Sequence, residues 1–76
     1  MDMRRLLGRN ARKARLAAQL TQEQLAERSG FAQQYISDLE RGLRNPTIVS
    51  LYELALALNT TPVALITPDE EAAREG

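Results

Sequence analysis

Residues 21–41 read TQEQLAERSGFAQQYISDLER, and this stretch decides the fold. Thr21 can cap a helix through its hydroxyl, and Gln24 three positions later completes a capping-box pattern. Leu25 and Ala26 form the apolar face of that helix, and Gly30 ends it as the residue that tolerates a left-handed backbone. A second short helix follows, about residues 33–41, closed by Gly42. Its apolar stripe is Ala32, Tyr35, Ile36 and Leu39, at i, i+3, i+4 and i+7. The opposite face offers Gln33, Gln34, Ser37, Asp38 and Arg41, all hydrogen-bonding groups. One side is patterned to pack and the other to meet something polar.

Two short helices joined by so tight a turn form a helix-turn-helix unit, whose second helix can enter the major groove of DNA. The rest of the chain supplies three more helices and no strand pattern. The first covers about residues 4–18, with Leu7, Ala11, Ala14 and Ala18 on one face. Thr47 caps the fourth, which Asn59 ends at a position that asparagine can occupy. Thr61 caps a short fifth helix with Pro62 in its first position, where a missing N–H costs nothing. Two positions depart from these rules. Ala32 stands where a side-chain cap is expected, a loss of about 1 kcal/mol. Gln19 stands where a glycine would best end the first helix.

The fourth helix has two apolar stripes. Ile48, Leu51, Leu54, Ala55 and Leu58 read as an ordinary core face, and Val49, Tyr52 and Leu56 as a second. With Leu65 and Ile66 in the next helix, there is more apolar surface than one small core needs. Either the excess covers the first helix or stays exposed, or it is a homodimer interface through Val49, Tyr52, Leu56, Leu65 and Ile66. The second reading is preferred, because contiguous exposed apolar patches usually have a partner.

Seventy-six residues make one small domain, which buries only about 60% of the surface its unfolded chain exposes. With no cysteine and no histidine, it has no disulfide, no thiol or Ser-His-Asp nucleophile and no zinc site. No phosphate-binding glycine loop is present, and Asp69, Glu70 and Glu71 lie in a tail without a scaffold to hold a cation. The sequence therefore predicts a protein that is not an enzyme and needs no metal or cofactor. No apolar run suits a signal peptide or reaches the ~20 residues that span a bilayer, so a cytoplasmic location is expected. Net charge is zero but unevenly spread. Residues 1–45 carry nine Lys/Arg against five Asp/Glu, a net +4, and residues 46–76 carry one against five, a net −4. Such a molecule can turn a basic side toward phosphate, although a basic first helix on a solvated surface would look the same.

Residues 21–47, TQEQLAERSGFAQQYISDLERGLRNPT, resemble the helix-turn-helix core of the Xre family, the lambda-repressor-like domains of bacterial and phage regulators. The sharpest segments are Thr21-Gln22 with Leu25-Ala26, Ile36-Ser37 with Leu39-Glu40-Arg41-Gly42, and Asn45-Pro46-Thr47. The ISDLERG and RNPT segments are also similar to the small controller proteins of restriction-modification systems. The resemblance extends over about residues 6–66. It implies an all-α, five-helix lambda-repressor-like DNA-binding domain over residues 1–67, followed by an acidic tail at 68–76.

The resemblance also implies roles for individual residues. Gln22, with Thr21 beside it at a helix start, resembles the family's phosphate-clamping glutamine. Gln33 and Gln34 open the recognition helix, where an amide can pair with adenine N6 and N7. Ser37 suits a base or a phosphate, and Asp38 either accepts from cytosine N4 or orients a neighbouring arginine. Tyr35 is expected half buried, its hydroxyl near the backbone or a base step. Arg41, Arg44 and Asn45 suit phosphate contacts that fix register, and Glu40 is expected to pair with Arg15. The implied partner is double-stranded DNA, bound by a homodimer on a near-palindromic operator. Repression by blocking polymerase and activation by contact with RNA polymerase, as in controller proteins, both remain open. The alternative function is an antitoxin-type adaptor that binds a protein as well as DNA.

Overall fold

The computed structural model describes residues 1–68, so the acidic cluster and nearly all of the expected tail lie outside the described residues. The chain forms α1 (Met3–Ala17), α2 (Gln22–Ser29), α3 (Gln33–Glu40), α4 (Ile48–Ala57) and α5 (Pro62–Ile66). No strand occurs among the described residues, and none of their helices is long and apolar enough to cross a membrane.

Side-chain oxygens set four of the five helix starts. Asp2 accepts from the Arg4 and Arg5 N–H groups. Thr21 and Gln24 form the expected reciprocal capping box, at 3.0 and 2.9 Å. Thr47 accepts from Ser50 N–H and Thr61 from Ala64 N–H, both at 3.1 Å. Only α3 begins without a side-chain cap, at Ala32. The ends follow one pattern as well. α1, α3 and α4 close with paired bonds back to the last turn, Leu20 to Arg15 and Gln19 to Leu16 in the first case. Each needs a left-handed residue: Gly42 (φ 79°) suits the role, whereas Gln19 (φ 61°) and Asn59 (φ 57°) must bear a Cβ there. For Gln19 the expected penalty is about 1–2 kcal/mol.

The core gathers Leu7 and Ala11 of α1, Leu25 of α2, Ile36 and Leu39 of α3, Leu51, Leu54, Ala55 and Ala57 of α4, then Leu58 and Leu65. α1 packs on α3 and α5, α2 packs on α3 and α4, and α4 packs on α5. Three expectations need correction. Ile48 is 81% exposed and not in the core, because it is the first residue of α4 and lies beyond the end of the packed face. Leu65 is 1% exposed, so it belongs to the core and cannot line a dimer face. Ala32 is exposed, standing ahead of α3 and outside its buried stripe.

The backbone around Leu65 is held by a residue that the apolar pattern passes over. Buried Asn10 in α1 donates through Nδ2 to the carbonyls of Leu65 (2.9 Å) and Thr67 (3.1 Å). These are C-terminal carbonyls of a five-residue helix, which has too few internal bonds to stand alone. A second such residue is Gly8, where α1 crosses the end of α3. A Cβ at Gly8 would lie 2.6 Å from Leu39 O and 2.7 Å from Glu40 O, so only glycine permits this crossing.

A buried ion pair completes the frame. Arg15 meets Glu40 through two parallel bonds, Nε–Oε2 at 2.7 Å and NH2–Oε1 at 3.0 Å. The two side chains are only 10% and 4% exposed. The third guanidinium nitrogen, NH1, donates to Leu20 O at 2.9 Å, and Gln22 Nε2 donates to Glu40 Oε1 at 3.2 Å. α1, the turn after it, the start of α2 and the end of α3 are thus joined at one place.

Two outcomes follow for stability, both read from urea or thermal unfolding. Gly8→Ala should destabilise by about 1–3 kcal/mol through overpacking, the opposite sign to alanine's advantage of about 1 kcal/mol in an unobstructed helix. Glu40→Ala should cost about 3–5 kcal/mol by leaving Arg15 buried without its partner, whereas Arg15→Met with Glu40→Leu should cost less than Glu40→Ala alone.

Candidate nucleic-acid interface

Gly30, at φ 82°, turns the chain out of α2, and Phe31 and Ala32 lead into α3. Ile36 and Leu39 then sink against the other helices and fix the rotation of α3 about its own axis. With that rotation set, Gln33 and Gln34 are exposed on its first turn and Arg41 at its end, with Arg44 and Asn45 exposed just beyond. Ser37 and Asp38 are half-buried between them. The face therefore runs from amides, which can meet base edges, to cations, which suit phosphate.

The polar groups on this face are bonded to one another. Gln34 Nε2 donates to Asp38 Oδ1 at 2.9 Å, and Arg44 NH2 donates to Asp38 Oδ2 at 3.3 Å. Arg41 NH1 lies 3.8 Å from Asp38 Oδ1. Asp38 thus does orient a neighbouring arginine, and it holds a glutamine too. Gln33 makes no side-chain hydrogen bond among the described residues. The Arg44 guanidinium also lies 5.3 Å from the centroid of the Tyr35 ring, within cation–π range. Tyr35, half-buried as expected, stacks on Phe31 with centroids 5.1 Å apart. Phe31 has no place in the sequence reading. Its signal was available, since Phe31 stands just ahead of the α3 N-cap, a position from which an apolar side chain packs onto the first turn.

At the start of α2, Thr21 is exposed but its oxygen serves the helix cap. Gln22 is half-buried and spends one of its two amide hydrogens on Glu40. Gln22 and Gln33 nonetheless line one open depression, together with Thr21, Glu23, Gln19 and Leu20. That depression connects the start of α2 with the first turn of α3. Val49, Tyr52 and Leu56 of α4 and Ile66 of α5 are exposed, as are Ile48 and Val63. No cluster among the described residues is suited to a metal ion.

Comparison with known proteins agrees with this architecture. The helix-turn-helix family HTH_3 matches residues 12–65. The HTH-type transcriptional regulator y4dJ of Sinorhizobium fredii is 56% identical over 71 residues, which are 93% of this chain and 92% of that protein. Control protein C.SmaI of Serratia marcescens is 46% identical over 67 residues, 88% of this chain and 80% of that one. Among solved structures, the restriction-modification controller protein C.AhdI of Aeromonas hydrophila superposes with a TM-score of 0.78 at 39% identity, over 82% of this chain and 94% of that one. The chain therefore belongs to the HTH_3 helix-turn-helix family, the Xre-like DNA-binding transcription regulators, and is similar to the controller proteins of restriction-modification systems.

Proposed function

We propose that the protein is a sequence-specific regulator that binds a near-palindromic operator as a homodimer, with α3 of each copy in the major groove. The observation that carries this reading is the outward face of α3, with exposed Gln33 and Gln34 at its start and exposed Arg41 and Arg44 at its end. In this geometry the first turn of the recognition helix touches base edges. Gln33 and Gln34 read bases there, with Ser37 one turn further along. Gln22 and Thr21 at the start of α2, and Tyr35, Arg41, Arg44 and Asn45 around α3, meet the sugar-phosphate backbone and set register.

A two-fold dimer places its recognition helices about one DNA turn, roughly 34 Å, apart. The side of α4 that carries Val49, Tyr52 and Leu56, with Ile66 of α5, supports the pairing, because so small a domain leaves these large apolar side chains uncovered. Ile48 and Val63 are exposed as well, whereas Leu65 is buried.

Gln33→Ala should remove about 1–3 kcal/mol of the preference for operator over random duplex, leaving the share read by Gln34 and Ser37. It should leave the slope of log affinity against log salt unchanged, since no phosphate contact is lost. Binding titrations on both duplexes at several salt concentrations check this, and equal weakening on the two would count against base reading. Leu56→Asp should give a folded monomer in sedimentation, with operator affinity at least tenfold weaker.

A further inference from the structure

We propose that Asp38 sets base specificity by holding the Gln34 amide in the orientation that selects adenine over guanine. The inference rests on the major-groove reading above and adds a positioning residue to it. Asp38 acts from behind Gln34 and need not touch a base.

Gln34 and Asp38 are four positions apart on α3, so their side chains lie on one face, with Nε2 and Oδ1 2.9 Å apart. A carboxylate only accepts hydrogen bonds, so the amide can meet it only through nitrogen. Turned the other way, Gln34 would set its carbonyl oxygen against a negative charge. The flip of this amide is therefore fixed.

The carboxylate doing the fixing is itself held. Its Oδ2 accepts from Arg44 and its Oδ1 lies near Arg41, and the Asp38 side chain is only 19% exposed. Arg44 in turn rests against Tyr35, and Tyr35 stacks on Phe31. A chain of contacts thus runs from partly buried aromatic rings out to the amide of Gln34. With each oxygen accepting one hydrogen bond and Arg41 close to Oδ1, Asp38 is poorly placed to accept from cytosine N4 as well.

Specificity follows from counting what the amide has left. Free glutamine offers two N–H bonds and one carbonyl oxygen. Guanine presents two acceptors in the major groove, N7 and O6, so it is matched through N–H groups alone. Adenine presents an acceptor at N7 and a donor at N6, so it is matched by one N–H and one oxygen. With one hydrogen spent on Asp38, Gln34 retains the pattern that adenine requires. Against guanine, its oxygen would face O6. Gln33, with no such restraint among the described residues, serves as an internal comparison. Charge gives a second signature. Asp38 neutralises part of Arg41 and Arg44, so its removal frees both cations for phosphate.

The test is selection of bound sites from random duplexes by the full chain, followed by affinities on matched adenine and guanine duplexes. Gln34→Ala identifies the positions that Gln34 reads. At those positions Asp38→Ala should lower adenine-over-guanine discrimination about tenfold, while affinity for random DNA holds or rises. Positions read by Gln33 should not change, and Asp38→Ala should have no further effect at the Gln34 positions in a Gln34→Ala background. Asp38→Asn keeps the shape but can donate as well as accept, so it no longer dictates the flip; it should lose adenine preference in the same direction as Asp38→Ala, and it stands in should the alanine variant fail to fold. Unchanged discrimination in Asp38→Ala, or a loss that persists without Gln34, overturns the inference and leaves base reading by Gln34 intact. Unchanged preference at every position in Gln34→Ala overturns that reading itself, and the inference with it.

Discussion

The paired bonds between Arg15 and Glu40 are the constraint on which the rest of the architecture depends. A planar guanidinium and a carboxylate, nearly shielded from solvent, allow one relative placement of the helices that carry them. Arg15 also holds the turn after α1, and Glu40 also holds the first turn of α2. In a chain without cysteine or histidine, this is the nearest equivalent of a staple. Buried ion pairs often add little net stability, because desolvation offsets most of the attraction. What this pair supplies is geometry: the end of α3 has one position relative to α1 and α2, and its outward face follows.

Events within one turn of helix were legible in the sequence, and encounters between distant segments were not. The Thr21–Gln24 capping box, the Thr47 and Thr61 caps, the missing cap at Ala32 and the left-handed residues at Gln19, Gly30, Gly42 and Asn59 are all local. Gly8 and Asn10 are different. A glycine inside a helix carries no mark of the carbonyls that approach it, and an asparagine none of a helix end more than fifty residues away. Periodicity failed at helix ends, where spacing is known but packing stops. Ile48 continues the α4 stripe past the edge of the core, and Leu65 lies in a helix of five residues, too short for a stripe to be read. The Arg15–Glu40 pair came from family resemblance, since nothing in spacing alone links those two positions.

The interface was legible to a similar extent. The buried stripe of Ile36 and Leu39 fixes which side chains of α3 look outward, so Gln33, Gln34 and Arg41 could be placed from the sequence. The Gln34–Asp38 bond is an i, i+4 contact on one helix, and an arginine partner for Asp38 was expected, but which arginine was not legible, because Arg44 lies past the helix in an irregular segment. These bonds bear on binding energetics. Side chains already held in one arrangement lose less conformational freedom when a partner arrives, so more of the contact energy appears as affinity. The uneven charge of the chain fits the same purpose, with a neutral whole and a cationic first half.

The glycine at position 8 and the asparagine at position 10 lie two residues apart on α1, one against the end of α3 and the other against the end of α5. α1 therefore acts as an axle between the helix that faces outward with amides and the neighbourhood of the uncovered apolar side chains. If two copies join through that neighbourhood, the stride between their reading helices is set inside each copy, by how α1 seats on its neighbours. Drift in operator spacing among related regulators can then begin at residues that touch neither nucleic acid nor the second subunit.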